Sequence, residues 1–169
     1  MSTILDNLRL AVQSGSVSDA EAALEGQTPS QIVDLLNEEY DDDNPSMIWY
    51  AIREGHEALV RYMLGARIAA GVDPHEVVDH YGSTPIYVAA RFDRPDMVGL
   101  LITERGDVNR AETSEGWTPA HACGFKNHSS VMRLLLAARA DIEQVNDRGR
   151  TPFSISADEG HIDVMRVLL

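Results

Sequence analysis

The chain has 169 residues, about one domain's worth, with 44% hydrophobic and 24% charged side chains, which is ordinary for a globular protein. Its 14 basic and 27 acidic residues give a net charge of −13, which repels a phosphate backbone and argues against nucleic-acid binding. No apolar run approaches the roughly 18 residues needed to cross a membrane, residues 1–15 lack the basic-then-apolar order of a signal peptide, and the single Cys123 cannot form an internal disulfide, so a cytoplasmic or nuclear location is expected.

Residues 1–45 hold ten acids against the single base Arg9, whereas residues 46–169 hold 17 acids and 13 bases. This N-terminal excess reads either as solvated helix faces with one acidic loop or as a docking face for a basic partner. Within it, Thr28-Pro29 followed by Ile32, Val33, Leu35 and Leu36 predicts a capped helix over about 28–40. Residues 38–43 then form an acidic loop. Ser46 opens the next element, followed by residues 51–56 and the apolar run 59–64. Residues 65–73 read as a loop about five residues longer than its counterparts downstream.

Beyond Asp79 the chain repeats itself. Thr84-Pro85, Thr118-Pro119 and Thr151-Pro152 are spaced by 34 and 33 residues, and each follows a glycine (Gly82, Gly116, Gly149) by two positions. Glycine permits the turn, threonine caps a helix and proline suits its first turn, so each dipeptide opens a short helix, as over 85–92. A second apolar helix follows at 97–102, 131–136 and 164–169. Gly55-His56 and Gly160-His161 lie 105 residues apart, and a unit start at Ser46, 38 residues before Thr84, keeps the same register to the end. Neither helix of a unit buries its apolar stripe alone, but stacked units do, as a solenoid.

These motifs resemble the ankyrin-repeat family, whose units begin Asp-x-x-Gly-x-Thr-Pro-Leu-His-x-Ala-Ala and end near Gly-Ala-Asp-Val-Asn. The matching stretches are 116–121, 107–109, 140–142 and 146–152. The resemblance implies an all-α solenoid of stacked helix-turn-helix units with β-turn or hairpin tips. It implies a single domain over 1–169, with repeats at about 1–26, 41–70, 79–111, 113–145 and 146–169 and a helical insertion at about 28–40. The first repeat, around 8–15, is degenerate. The last is truncated: residues 164–169 are an apolar stripe with no cap after them, expected to fray and to belong to a longer array.

Candidate chemistry is sparse. His121, Cys123 and His128 have a His-x-Cys-x4-His spacing suggestive of zinc, but no fourth ligand lies nearby. The repeat register also gives each a structural place: His121 as the Thr-Pro-x-His histidine, Cys123 at the packing position of Ala89, and His128 at that of His56 and His161. Asp41-Asp42-Asp43-Asn44 lacks the alternating ligands and central glycine of a calcium loop. No phosphate loop or nucleophile elbow occurs, and Cys123, which would need a neighbouring base and an electropositive cleft to act as a nucleophile, reads as a small buried thiol. No catalytic residue, cofactor or metal is expected. Asn109 resembles the asparagines hydroxylated in many animal ankyrin repeats.

The family resemblance implies a non-enzymatic scaffold that binds another protein through its concave groove and turn tips. The alternative is a regulatory or targeting module of a longer enzyme whose catalytic domain lies beyond residue 169. By register, the tips include Ser83, Ser114 and Asp147, and the groove sides include Trp49, Arg53, Glu54, Asp158 and Glu159. The expected protein-binding residues are Trp117, Phe125, Arg150, Tyr81, His80, Phe92, Arg91, Glu115, Lys126 and Arg148, since aromatic residues and arginine suit interface anchors. Trp117 occupies a turn position that demands no particular side chain, so its indole is expected exposed at the groove centre beside Arg150 of the next tip. The partner is another protein, in one reading with a basic surface, and neither nucleic acid nor membrane.

Overall fold

A computed structural model describes residues 2–38, 46–76 and 79–169. They fall into two compact units, Met1–Asp79 and His80–Leu169. Every regular element among the described residues is an α-helix.

The first unit holds α1 (Ser2–Ser14), α2 (Val17–Ala23), α3 (Pro29–Asn37), α4 (Met47–Glu54) and α5 (Glu57–Ala69). Helices α1 and α2 form one pair, α4 and α5 a second, and α1 packs on α4. Ser46 caps α4 by accepting the Trp49 N–H at 3.2 Å. Thr28 and Gln31 form a reciprocal capping box at the start of α3. That helix buries Val33, Leu35 and Leu36 and packs on α4 and α5. The acidic residues Asp41, Asp42 and Asp43 lie outside the described residues.

Residues 65–73 are not a loop throughout, because α5 continues to Ala69. Its buried stripe of Val60, Met63, Leu64 and Arg67 keeps i, i+3, i+4, i+7 spacing one turn further than the apolar residues alone suggest. Arg67 is 1% exposed. Its Nη2 donates to Asn37 Oδ1 at 2.9 Å, and its Nη1 donates to the carbonyls of Pro74 and Glu76, both at 3.4 Å. Burial lowers the pKa of this guanidinium, opposed by Glu76 and Asp73. An arginine remains charged nonetheless, so these acceptors partly compensate a true buried cation, whose Nε has no acceptor among the described residues.

The second unit holds α6 (Pro85–Arg91), α7 (Pro95–Thr103), α8 (Pro119–Lys126), α9 (Ser129–Ala137), α10 (Pro152–Asp158) and α11 (Ile162–Leu168). Helices α6, α8 and α10 stack as an inner row, and α7, α9 and α11 as an outer row. Thr84, Thr118 and Thr151 cap the inner helices by accepting the N–H groups of Tyr87, His121 and Ser154 at 3.2–3.4 Å. The chain passes from inner to outer helix through a left-handed residue at Asp93 (φ 51°), Asn127 (φ 61°) and Gly160 (φ 71°).

Two kinds of contact set the stacking distance. Gly124 lies against the backbone of Pro152, where a Cβ would fall 2.6 Å from the carbonyl oxygen. Histidines at the outer-helix N-caps reach back one repeat: His128 Nδ1–H donates to the Ala90 carbonyl at 2.9 Å, and His161 Nδ1–H to that of Gly124 at 3.0 Å. Between them, Ala89, Ala90, Met97, Leu101, Cys123, Met132 and Leu135 are buried.

Candidate functional site

The turn tips of the second unit are built around side chains that stand in for missing backbone acceptors. Glu112, 4% exposed, donates its N–H to the Trp117 carbonyl at 2.9 Å, closing the loop. Its carboxylate accepts the N–H groups of Ser114 at 2.6 Å, Glu115 at 3.0 Å and Trp117 at 3.0 Å, and also the Ser114 hydroxyl. Burial pushes this carboxyl pKa up, but the four hydrogen bonds outweigh burial and hold it below the ordinary value. In the next tip Asn146 plays the same part with one residue fewer. Its N–H donates to the Arg150 carbonyl and its Oδ1 accepts from the N–H groups of Arg148 and Arg150, all at 3.0 Å.

Neighbouring tips are hydrogen-bonded to one another. Thr113 N–H donates to the Tyr81 carbonyl at 2.8 Å, and Asp147 N–H to the Glu115 carbonyl at 3.0 Å. Gly116 sits at φ 72°, a left-handed conformation that side chains rarely adopt, and a Cβ there would press on Asp147 Oδ1 at 2.6 Å. Arg148 Nη2 reaches across to Glu115 Oε1 at 2.6 Å.

Tips and inner helices together enclose an open groove of about 490 Å³. Its lining includes Tyr81, Tyr87 and Arg91 from one repeat, Glu115, Trp117, Phe125 and Lys126 from the next, and Arg148 from the tip after it. Trp117 meets Phe125 edge-on, with ring centroids 5.4 Å apart at 84°, a favourable aromatic geometry. The Lys126 ammonium lies 5.1 Å from the Phe125 ring, and the Arg91 guanidinium 6.0 Å from Phe92. Another depression, between α1 and α2, is lined by residues such as Asn7, Leu10, Gln13 and Ala22, with no aromatic side chain in its lining.

Seven of the ten expected residues line the groove: Tyr81, Arg91, Glu115, Trp117, Phe125, Lys126 and Arg148. His80 stacks on Tyr81 with centroids 4.0 Å apart, outside the lining. Phe92 is half-buried behind Arg91. Arg150 turns into its own repeat, where Nη2 binds Asp158 Oδ2 at 2.5 Å and the Ser154 carbonyl at 3.3 Å, and it is not among the residues lining the groove. The Trp117 indole is half-buried rather than exposed, because Phe125 and the His121 ring cover it, and its Nε1–H has no acceptor among the described residues. Sequence reasoning missed Glu112, Tyr87 and Ala122. Tyr87 stands three residues after Thr84, where His121 stands after Thr118, so the register itself contained that signal.

A family model for ankyrin repeats in three copies matches residues 8–112 and 105–169. The chain belongs to the ankyrin-repeat family. Among curated relatives, it is 25% identical to glycerophosphocholine phosphodiesterase GDE1 of Candida albicans over 74% of this chain and 11% of that protein. It is 32% identical to the E3 ubiquitin-protein ligase KEG of Arabidopsis thaliana over 89% of this chain and 9% of that one. It is 28% identical to ankyrin repeat and SAM domain-containing protein 6 of Rattus norvegicus over 64% and 12%. The chain thus spans about a tenth of each relative.

The ankyrin register accounts for the zinc-like trio. His121 Nδ1 accepts the Thr118 N–H at 3.1 Å, and its Nε2–H donates to the Arg150 carbonyl at 2.9 Å, which fixes a neutral tautomer. Burial lowers its pKa. Cys123 is fully buried, and burial pushes its thiol pKa far up, which leaves no thiolate for chemistry. His128 belongs to the histidine ladder. Asn109 Oδ1 accepts the Asp141 N–H at 2.7 Å, tying two ankyrin repeats together. Among the described residues, no helix is long and apolar enough to cross a membrane.

Proposed function

We propose that this ankyrin-repeat chain is a non-enzymatic scaffold whose second unit binds a protein partner in the groove over Trp117 and Phe125. The observation that carries the reading is the partly exposed edge-on aromatic pair at the groove floor, flanked by Arg91 and Lys126. Large apolar rings left accessible in a concave, polar-rimmed site are typical of binding hot spots. The ankyrin fold is a protein-interaction module, and the buried His121, Cys123 and Glu112 are all committed to structure. The basic surface expected on a partner is assigned to the first unit, which holds 15 acids and 4 bases, not to the groove.

Affinity capture comparing the wild-type chain with Trp117→Ala and with Arg133→Ala, an exposed change on α9, tests this. The groove variant loses a partner that the outer-row variant keeps, at a cost of about 2 kcal/mol or more. Equal capture by all three rules the groove out. A second reading, a regulatory module of a longer enzyme, draws support from the likeness to a phosphodiesterase and a ubiquitin ligase roughly seven to ten times its length. Sequencing the full reading frame separates the two.

A further inference from the structure

We propose that the groove of the second unit takes an acidic peptide segment, with one apolar side chain seated against Trp117 and Phe125 and flanking carboxylates on Arg91 and Lys126. This rests on the reading of the groove as the binding site and adds the chemistry of what enters it.

The groove reverses the sign of the chain around it. The whole sequence carries −13, yet residues 80–169 hold 12 acids and 10 bases, close to balance. Both carboxylates of the groove are already engaged: Glu112 is buried under four donors, and Glu115 is held by Arg148 at 2.6 Å. Arg91 and Lys126 are exposed and have no carboxylate partner among the described residues. Each lies near an aromatic ring that limits where the charge can go. Screening over about 8 Å at physiological salt means the charges lining the groove weigh most in the potential a ligand meets there.

A basic peptide would face two unneutralised cations and no free anion. An acidic peptide gains both charge pairs and covers the aromatic floor. Equivalent inner-row positions run Arg91, Phe125, Asp158, and Asp158 is already bound by Arg150 at 2.5 Å. The open positive charge therefore lies at the α6–α8 end, which places the ligand carboxylates there.

The test uses the full chain and three labelled pools of peptides about twelve residues long. Each pool has a central Leu, Phe or Met, with flanks of Asp and Glu, of Asn and Gln, or of Lys and Arg. Fluorescence polarisation is expected to show the acidic pool binding about tenfold tighter than the amide pool, as two partly exposed ion pairs would give, with the basic pool weakest. The preference shrinks between about 0.05 and 0.5 M salt, and Arg91→Gln with Lys126→Gln removes it. Trp117→Ala weakens the acidic and amide pools alike, with Phe125→Ala in its place should that variant not fold. An amide or basic pool that binds as tightly as the acidic one, still dependent on Trp117, overturns the acidic ligand and leaves the groove as the site. Binding indifferent to both aromatic variants removes the groove itself, and no binding of the acidic pool overturns the proposal.

Discussion

Gly124 and Pro152 meet without space for a methyl group, since a Cβ on the glycine would lie 2.6 Å from the proline carbonyl oxygen. Glycine inside an exposed helix ordinarily costs about 1 kcal/mol relative to alanine. Here the sign reverses. Gly124→Ala is expected to destabilise the second unit by about 1–2 kcal/mol, because overpacking against immovable backbone outweighs the gain in helix propensity. Urea unfolding followed by circular dichroism decides it, and a stabilised variant would mean that α8 and α10 can move apart freely.

Glu112→Ala leaves three backbone N–H groups of the tip without their acceptor. The expected loss is about 3 kcal/mol, with Glu112→Gln losing less because one carbonyl oxygen remains. The folded carboxyl pKa lies below its ordinary 4.5, so this stabilisation is complete above about pH 4.5 and is lost as pH falls through the lower folded value. Unfolding curves of wild type and Glu112→Gln should converge in acid. Parallel curves down to pH 3 would contradict the assignment.

His121 gives a second pH dependence in a higher window. Its folded pKa is lowered from 6.5, so the unfolded chain takes up a proton first. Stability is therefore complete above about pH 6.5 and falls as pH drops toward the folded value. Titration by NMR should show His121 protonating below 6.5 with the proton on Nε2 in the neutral form. A normal pKa, or the opposite tautomer, would disagree with the bonds to Thr118 and Arg150.

Arg67→Met removes the donor to Asn37, Pro74 and Glu76 and leaves their oxygens unpaired. A loss of about 3 kcal/mol is expected, the scale of breaking a buried charged network from one side. Hydrogen exchange should quicken in α3 and α5 while α6 to α11 keep their protection. Uniform quickening throughout the chain would indicate that the two units unfold together.

Much of the architecture was legible because local and global signals coincide. Thr84, Thr118 and Thr151 each announce a helix by the cap they go on to make, and Thr28 does the same for α3 although it lies outside the repeat register. Arg67 was not legible as a core residue, since charge argues for solvent. Its i+7 position on the stripe from Val60 was the only hint, and three distant acceptors make its burial tolerable. Register correctly equates Arg150 with Trp117 along the chain. It says nothing about where a flexible guanidinium goes, and Asp158, eight residues away, is within its reach. Glu112 was missed because a carboxylate that folds back on its own loop leaves no periodic trace, only a tip one residue longer than the next.

Because Glu112 and Asn146 hold their loops through side-chain oxygens, the hydrogen bonds within these two tips call only on the backbone amides of residues 115, 117, 148 and 150. The scaffold and the surface it presents are thus separately editable. New ligands could be addressed by rewriting those four positions together with Arg91, Phe125 and Lys126, while the glycine contact and the histidine ladder behind them go untouched.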